Sequence, residues 1–199
     1  MTTVIGLDLS LTSTGYAAIA YNPTDGSHTV ELRTFTSTPR GRTLADRHTR
    51  LRNNRTAIVN ACRGADLVCV ESPAFGARGA NIHDLNGNWW LIVAGLHHIG
   101  VPVAEVNVAT VKKFACDKGN GGKADVAAGI ARMWPGAHPH GDNEFDALSL
   151  ASIALILTVP RVTADQVGLP FRVLERHREA ISKVQLPTSP RRTQMESYL

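Results

Sequence analysis

Short apolar runs, each ended by a polar turn, fill the first third of the chain. "TVIGLDLS" and "TGYAAIAY" predict two strands joined by the turn "LTS", and "HTVELRTF" alternates apolar with polar residues as a third. Three such strands in succession predict an antiparallel meander. The period then changes. In "GRTLADRHTRLRNNRTAIVNACR", Leu44, His48, Leu51, Ile58, Val59 and Cys62 recur at near-helical spacing, with arginines on the other faces. "ADLVCVESP" predicts a fourth strand that ends in Glu71 and is stopped by Pro73. A polar, Gly-rich connection over 76–88 leads to an apolar helix, "WWLIVAGLHHIG", and "VPVAEVNV" supplies the fifth strand. "ATVKKFAC", "KADVAAGIARMW" and "DNEFDALSLASIALIL" read as helices, the last ending before Pro160.

A meander followed by βα alternation predicts an α/β fold, a five-stranded mixed sheet with helices on its faces. Residues 1–160 form the expected domain. Residues 161–199 read as a basic C-terminal extension, with an appended helix over 161–183 and a disordered end over 187–199.

Composition narrows the classes. The chain has 199 residues, of which 43% are apolar, enough for one domain with a real core. No apolar run approaches the roughly 20 residues of a membrane span, and no secretory signal is visible at the N-terminus. Cys62, Cys69 and Cys116 show no CxxC spacing, which points to a reduced compartment without a zinc site. Formal net charge is +4, and residues 40–63 hold seven arginines against one acid, Asp46. From Arg161 onward six Arg and one Lys stand against four acids. Such excess suits a polyanionic partner, because neutralising phosphates releases counterions; solvated arginine faces would explain it equally.

The acids carry the chemistry. Asp8 is expected midway along the first strand, between Leu7 and Leu9, where an unpaired charge is costly. Glu71 lies at the C-terminal end of the fourth strand, where α/β sheets present functional groups. Asp142 and Asp146, four residues apart, share one face of the last long helix. Taken singly, an N-cap at Asp142, a dipole partner at Asp146 and a turn acceptor at Glu71 are ordinary roles. Taken together, the carboxylates repel unless a divalent cation lies among them. Oxygen-only ligands suit Mg²⁺ or Mn²⁺, and two such ions would support phosphodiester hydrolysis.

The same residues resemble a family, the RuvC-type Holliday junction resolvases of the RNase H-like superfamily. "IGLDLSLTSTGYAAI" is similar to the family's opening strand and places a catalytic Asp at Asp8. "CVESPAFGARGAN" resembles the segment with the catalytic Glu and a Phe-containing loop, which places Glu71, Phe75 and Asn81. "LNGNWWLIVAGLHHIGVPVAEVNVATVKKF" is similar to the family's helix, fifth strand and next helix start, "GNGGKADV" places Lys123, and "DNEFDALSLA" places Asp146. The resemblance runs in order over about residues 4–157. One position departs: the family's carboxylate three residues before the last Asp is Asn143 here, with Asp142 one position earlier. Either Asp142 takes the role or Asn143 ligates through its amide oxygen; Asp142 is favoured, because a charged ligand neutralises a cation better. The arginine-rich helix after the meander is a second departure.

The resemblance implies an RNase H-like fold and a metal-dependent endonuclease acting on branched DNA, the four-way junction. Asp8, Glu71, Asp142 and Asp146 would hold two Mg²⁺ or Mn²⁺ ions, and cleavage would leave a 5′-phosphate and a 3′-hydroxyl. Lys112, Lys113 and Lys123 would bind phosphates beside the scissile bond, and Phe75 would stack on an unpaired base; solvated lysines and a core Phe are the plainer alternatives. His138 and His140 could assist proton transfer. Symmetric nicking of a two-fold substrate implies a homodimer. Adjacent Trp89 and Trp90 cannot both face the core, which leaves one for an interface. The expected setting is the cytoplasm of a bacterium or phage-infected host, with no membrane partner, and the compact chain suits a phage version. Three rivals remain: a non-cleaving junction-binding protein, a more general RNase H-like nuclease, and an actin-like ATPase or sugar kinase, whose two domains need a longer chain.

Overall fold

The computed structural model describes residues 1–73, 81–159 and 168–187. Strands β1 (Thr2–Asp8), β2 (Ser13–Tyr21) and β3 (His28–Thr36) form the expected antiparallel meander. β4 (Leu67–Glu71) joins the other side of β1 in parallel, and β5 (Val103–Val106) joins β4, so the sheet order is β3-β2-β1-β4-β5. β1 is therefore the central strand of the sheet, although β2 is the middle strand of the meander. Asp8 is the last residue of β1 and not a mid-strand residue. The ladder closes where Asp8 pairs with Gly15, and the chain turns there. Thr14 Oγ1 donates to Ser10 O at 2.9 Å and accepts from Ser10 N at 3.1 Å, closing the turn.

Pleating divides β1 and β4 between two cores. Ile5, Leu7, Val68 and Val70 face α1 (Leu44–Ala61) and α2 (Ile82–His98). Val4, Leu67 and Cys69 face the other layer, made of α3 (Val108–Cys116), α4 (Lys123–Met133), α5 (Asp142–Thr158) and α6 (Glu175–Ile181). Both faces of the sheet are covered, as parallel pairing requires.

Two glycines decide how closely α5 lies on the sheet. A Cβ on Gly6 would stand 2.0 Å from Ala147 O, and one on Gly15 would stand 1.9 Å from Asn143 O. Their bare backbones let the first turns of α5 rest directly on β1 and β2. This contact brings the helix's acids down to the end of β1.

α1 starts at a reciprocal cap, in which Thr43 Oγ1 accepts from Asp46 N and Asp46 Oδ2 accepts from Thr43 N, both at 3.1 Å. α2 begins at Ile82, seven residues before the expected start at Trp89. Its first two turns are polar and read as a loop, but their polar groups bond to α1. Asp84 pairs with Arg47, and the buried Asn88 accepts from Asn54 Nδ2 at 2.8 Å. The C-terminal helix is also shorter than the expected 161–183. Residues 168–174 run non-helically to α6, and Phe171, Val173, Ala180 and Ile181 are buried in the α5-side core. The Phe171 and Trp134 rings meet edge-on with centroids 5.3 Å apart.

Candidate active site

Asp8 and Glu71 arrive side by side. Leu7 and Val70 are registered partners across the parallel β1–β4 pair, and the two acids follow them at the strand ends. Alternation turns both side chains to the α5 face, away from Leu7 and Val70. Asp146 lies one turn into α5, between the contacts that the helix makes at Gly15 and Gly6.

The charges of these three groups act on one another. Burial first, and then the charge of Asp146, pushes the Asp8 carboxyl up to about 7, against the pull of Lys123. Glu71 is also pushed to about 7, by burial and then by Asp8 and Asp146, with Lys112 opposing. Asp146 is raised by burial and then by Asp142, while Lys123 and Lys112 lower it. Each acid is thus partly buried, repelled by a neighbouring acid and faced by a lysine.

Asp142 stands at the rim, where its half-exposed carboxylate accepts from Lys123 Nζ at 3.0 Å. That bond raises the Lys123 ammonium pKa. Asn143 points elsewhere: its Nδ2 donates to Ser13 O at 2.9 Å and Ser13 Oγ at 2.8 Å. Its amide therefore ties α5 to the start of β2. Lys112 and Lys123 face the acids, whereas no bond or ion pair joins Lys113 to them among the described residues. Phe75 lies outside the described residues. His140 meets Glu144, with Nδ1 3.6 Å from Oε2. Glu144 is buried and also accepts from Thr34 Oγ1 at 2.8 Å, which places this histidine in a structural pair. The Trp pair divides as expected, with Trp89 7% exposed and Trp90 64% exposed.

Oxygen-only, buried and mutually repelling carboxylates are the donor chemistry of a hard divalent cation. Among the described residues, no three His, Cys, Asp or Glu side chains stand closed up as a ready ligand set. The acids share a field without forming a finished cage.

Sequence reasoning missed Asn88, Ser13 and Glu144. Ser13 and Asn88 bond to groups far away in the chain, a relation that no local pattern carries.

No protein-family model matches the chain. A crossover junction endodeoxyribonuclease RuvC of Zymomonas mobilis is 29% identical over 149 residues, 74% of this chain and 86% of that protein. The solved structure of Thermus thermophilus RuvC superposes with a TM-score of 0.63 at 18% identity, covering 85% of this chain and all of that one. The same protein in complex with a Holliday junction substrate gives a TM-score of 0.63 at 16% identity, covering 81% of this chain and 96% of that one. The resemblance carried by the sequence motifs therefore holds: the chain has the RuvC-type RNase H-like fold and is similar to a RuvC over most of its length.

Proposed function

We propose that the protein is a metal-dependent, structure-selective endonuclease that resolves four-way DNA junctions by phosphodiester hydrolysis. The carrying observation is the convergence of Asp8, Glu71 and Asp146 on one face of the sheet, each raised by burial and by the charge of another acid. Likeness to a crossover junction endodeoxyribonuclease supports the substrate class.

Asp8, Glu71 and Asp146 would hold the cations, Mg²⁺ or Mn²⁺ and two per site, with Asp142 joining from the rim. Bound there, the ions supply the Lewis acidity that activates water and stabilises the leaving oxygen. The protein orients the phosphate. Lys112 and Lys123 lie beside the acids and would receive its non-bridging oxygens. Asp142 holds the Lys123 ammonium at the rim until the phosphate competes for it. Phe75 would stack on an unpaired base at the branch point. The products would carry a 5′-phosphate and a 3′-hydroxyl. Two symmetric nicks need two copies, and the exposed Trp90 and Leu91 on α2 offer an apolar face for a homodimer. Among the described residues no helix is long and apolar enough to cross a membrane, and a DNA substrate would be met in the cytoplasm of a bacterium or phage-infected host.

The test is incubation with four-way, flap, duplex and RNA–DNA substrates in Mg²⁺, with products sized on a denaturing gel. Paired nicks in the four-way junction alone are expected. Tight binding without cutting would favour a non-cleaving junction binder, the reading that Asn143 in a carboxylate position keeps open. Cleavage of the RNA strand would make the protein a general RNase H-like nuclease.

A further inference from the structure

Two consecutive residues of α2 hold the backbones of both acid-bearing strands from behind. Trp89 Nε1 donates to the carbonyl oxygen of Glu71 itself at 2.9 Å. Asn88 Nδ2 donates to Ser10 O at 3.2 Å, two residues beyond Asp8. The acid side chains face α5, whereas α2 packs on the opposite face of the sheet. No hydrogen bond joins either residue to a carboxylate: Trp89 grips the peptide unit that follows Glu71, and Asn88 grips the turn that β1 enters two residues beyond Asp8.

The grip is itself oriented. Asn88 is 1% exposed, and its amide oxygen accepts from Asn54 Nδ2 at 2.8 Å, so α1 directs the Asn88 amide towards Ser10. Trp89 packs edge-on against Trp90, with centroids 4.9 Å apart, which limits rotation of its indole. Two amides in an apolar interface cost stability that leucines would not. A buried Trp does seek a partner for its N–H. What distinguishes this pair is the choice of acceptors: one at the end of β4 and one in the turn just beyond β1, reached from adjacent positions on one rigid helix.

We infer that Asn88 and Trp89 are positioning residues, which set the separation of Asp8 from Glu71 and with it the affinity of the acid cluster for a divalent cation. Outer partners that orient ligands commonly matter by about 10–100-fold in metal affinity. The consequence for cleavage rests on the nuclease reading; the grip on the strand ends does not.

The test compares wild type with Trp89→Phe, which keeps an aromatic ring but removes the N–H. A second variant, Asn54→Val with Asn88→Leu, removes both buried amides together so that neither is left unpaired. Hydrogen exchange is measured on cation-free protein, and Mn²⁺ binding is followed by the paramagnetic signal of the free ion. In Trp89→Phe, faster exchange is expected at the end of β4, where Ser72 N–H bonds Val106 O, with β2–β3 unchanged. In the double variant, faster exchange is expected at the Ser10–Thr14 turn. Both should bind Mn²⁺ about tenfold more weakly than wild type while unfolding cooperatively. Wild-type exchange and wild-type Mn²⁺ affinity in folded variants would overturn the inference. A wild-type protein that binds no Mn²⁺ would overturn the metal reading and the affinity part of the inference, and exchange would still decide whether α2 grips the strands.

Discussion

At the scale of single residues, the site is a set of carboxylates whose environment opposes their ionisation. Asp146→Asn keeps the shape of one of them and removes its charge. On the proposed metal-nuclease reading cleavage should fall by orders of magnitude, because ions held there would supply both nucleophile activation and leaving-group stabilisation. Junction binding should persist, since a charge that repels phosphate is gone. Wild-type cleavage rates in a folded Asp146→Asn protein would sink the metal-nuclease reading built on this carboxylate. The neighbours on α5 separate by role. Asp142→Asn breaks the Lys123 pair at the rim and should slow cleavage. Asn143→Ala removes two bonds to Ser13, should cost about 1–2 kcal/mol in a urea titration, and should slow cleavage less. A larger rate loss for Asn143→Ala would make the amide the ligand.

The raised carboxyls also make stability depend on pH with a definite sign. Unfolded Asp and Glu titrate near 4, roughly as in peptides. Asp8 and Glu71 titrate at about 7 in the folded, cation-free protein. Between those values the folded state holds more protons than the unfolded one, so stability falls as pH rises. Buried His177, lowered to about 4, acts with the opposite sign up to its ordinary range, so Tm of chelator-treated protein should drop from about pH 6.5 to pH 8, and Mg²⁺ should restore it at the higher pH only. A Tm that rises over this range would contradict the electrostatic reading of the site.

At the scale of elements, the contact of α5 with the end of β1 depends on missing side chains. Gly6→Ala would drive a Cβ against Ala147 O and Ala151 N, both backbone atoms that cannot swing aside. The helix must lift, and a loss of roughly 2–3 kcal/mol or more is expected in denaturant unfolding. Cleavage should fall further than stability alone explains, because lifting α5 carries Asp146 away from Asp8. A Gly6→Ala protein of wild-type stability would mean that α5 rests elsewhere. α2 teaches a different lesson about elements. Its first two turns carry only Ile82 and Leu85 as apolar residues, and their helix is fixed to α1 where Asp84 and Asn88 meet Arg47 and Asn54.

At the scale of the whole molecule, the arginines of residues 40–63 do not act as one patch. Arg47 is paired with Asp84, and Arg50 donates to Leu11 O and Ser37 O at 3.0 and 2.8 Å. Arg40, Arg42 and Arg52 are exposed, and Arg40 borders a groove of about 440 Å³ with Thr38, Thr49 and Asn53. Junction affinity should fall steeply with salt, and Arg40→Ala with Arg42→Ala should reduce the log–log slope by about 2. An affinity indifferent to salt would remove these arginines from the DNA interface. The two-fold substrate calls for two sites, so a dimer is expected by sedimentation at micromolar concentration. A monomer with junction present would exclude paired nicking by a preformed dimer.

Much of this was legible along the chain. Short apolar runs joined by a polar turn marked β1 and β2, and alternation marked β3, to within a residue or two. The long apolar run of "DNEFDALSLASIALIL" located α5, and the four-residue spacing set Asp142 and Asp146 on one side. Asp8, Glu71 and Asp146 stood out as acids set in apolar text, and the order of their motifs carried the likeness to RuvC. Such features are local: they depend on residues within a few positions of each other, and period alone exposes them. What only the tertiary structure decided are relations between distant residues. The approach of α5 to Gly6 and Gly15, the division of Asp142 to Lys123 and Asn143 to Ser13, the early start of α2 and the bonds from Asn88 and Trp89 to the strand ends all join elements far apart in sequence. Each arises because a buried polar group must find its partner wherever the packed chain brings one within reach.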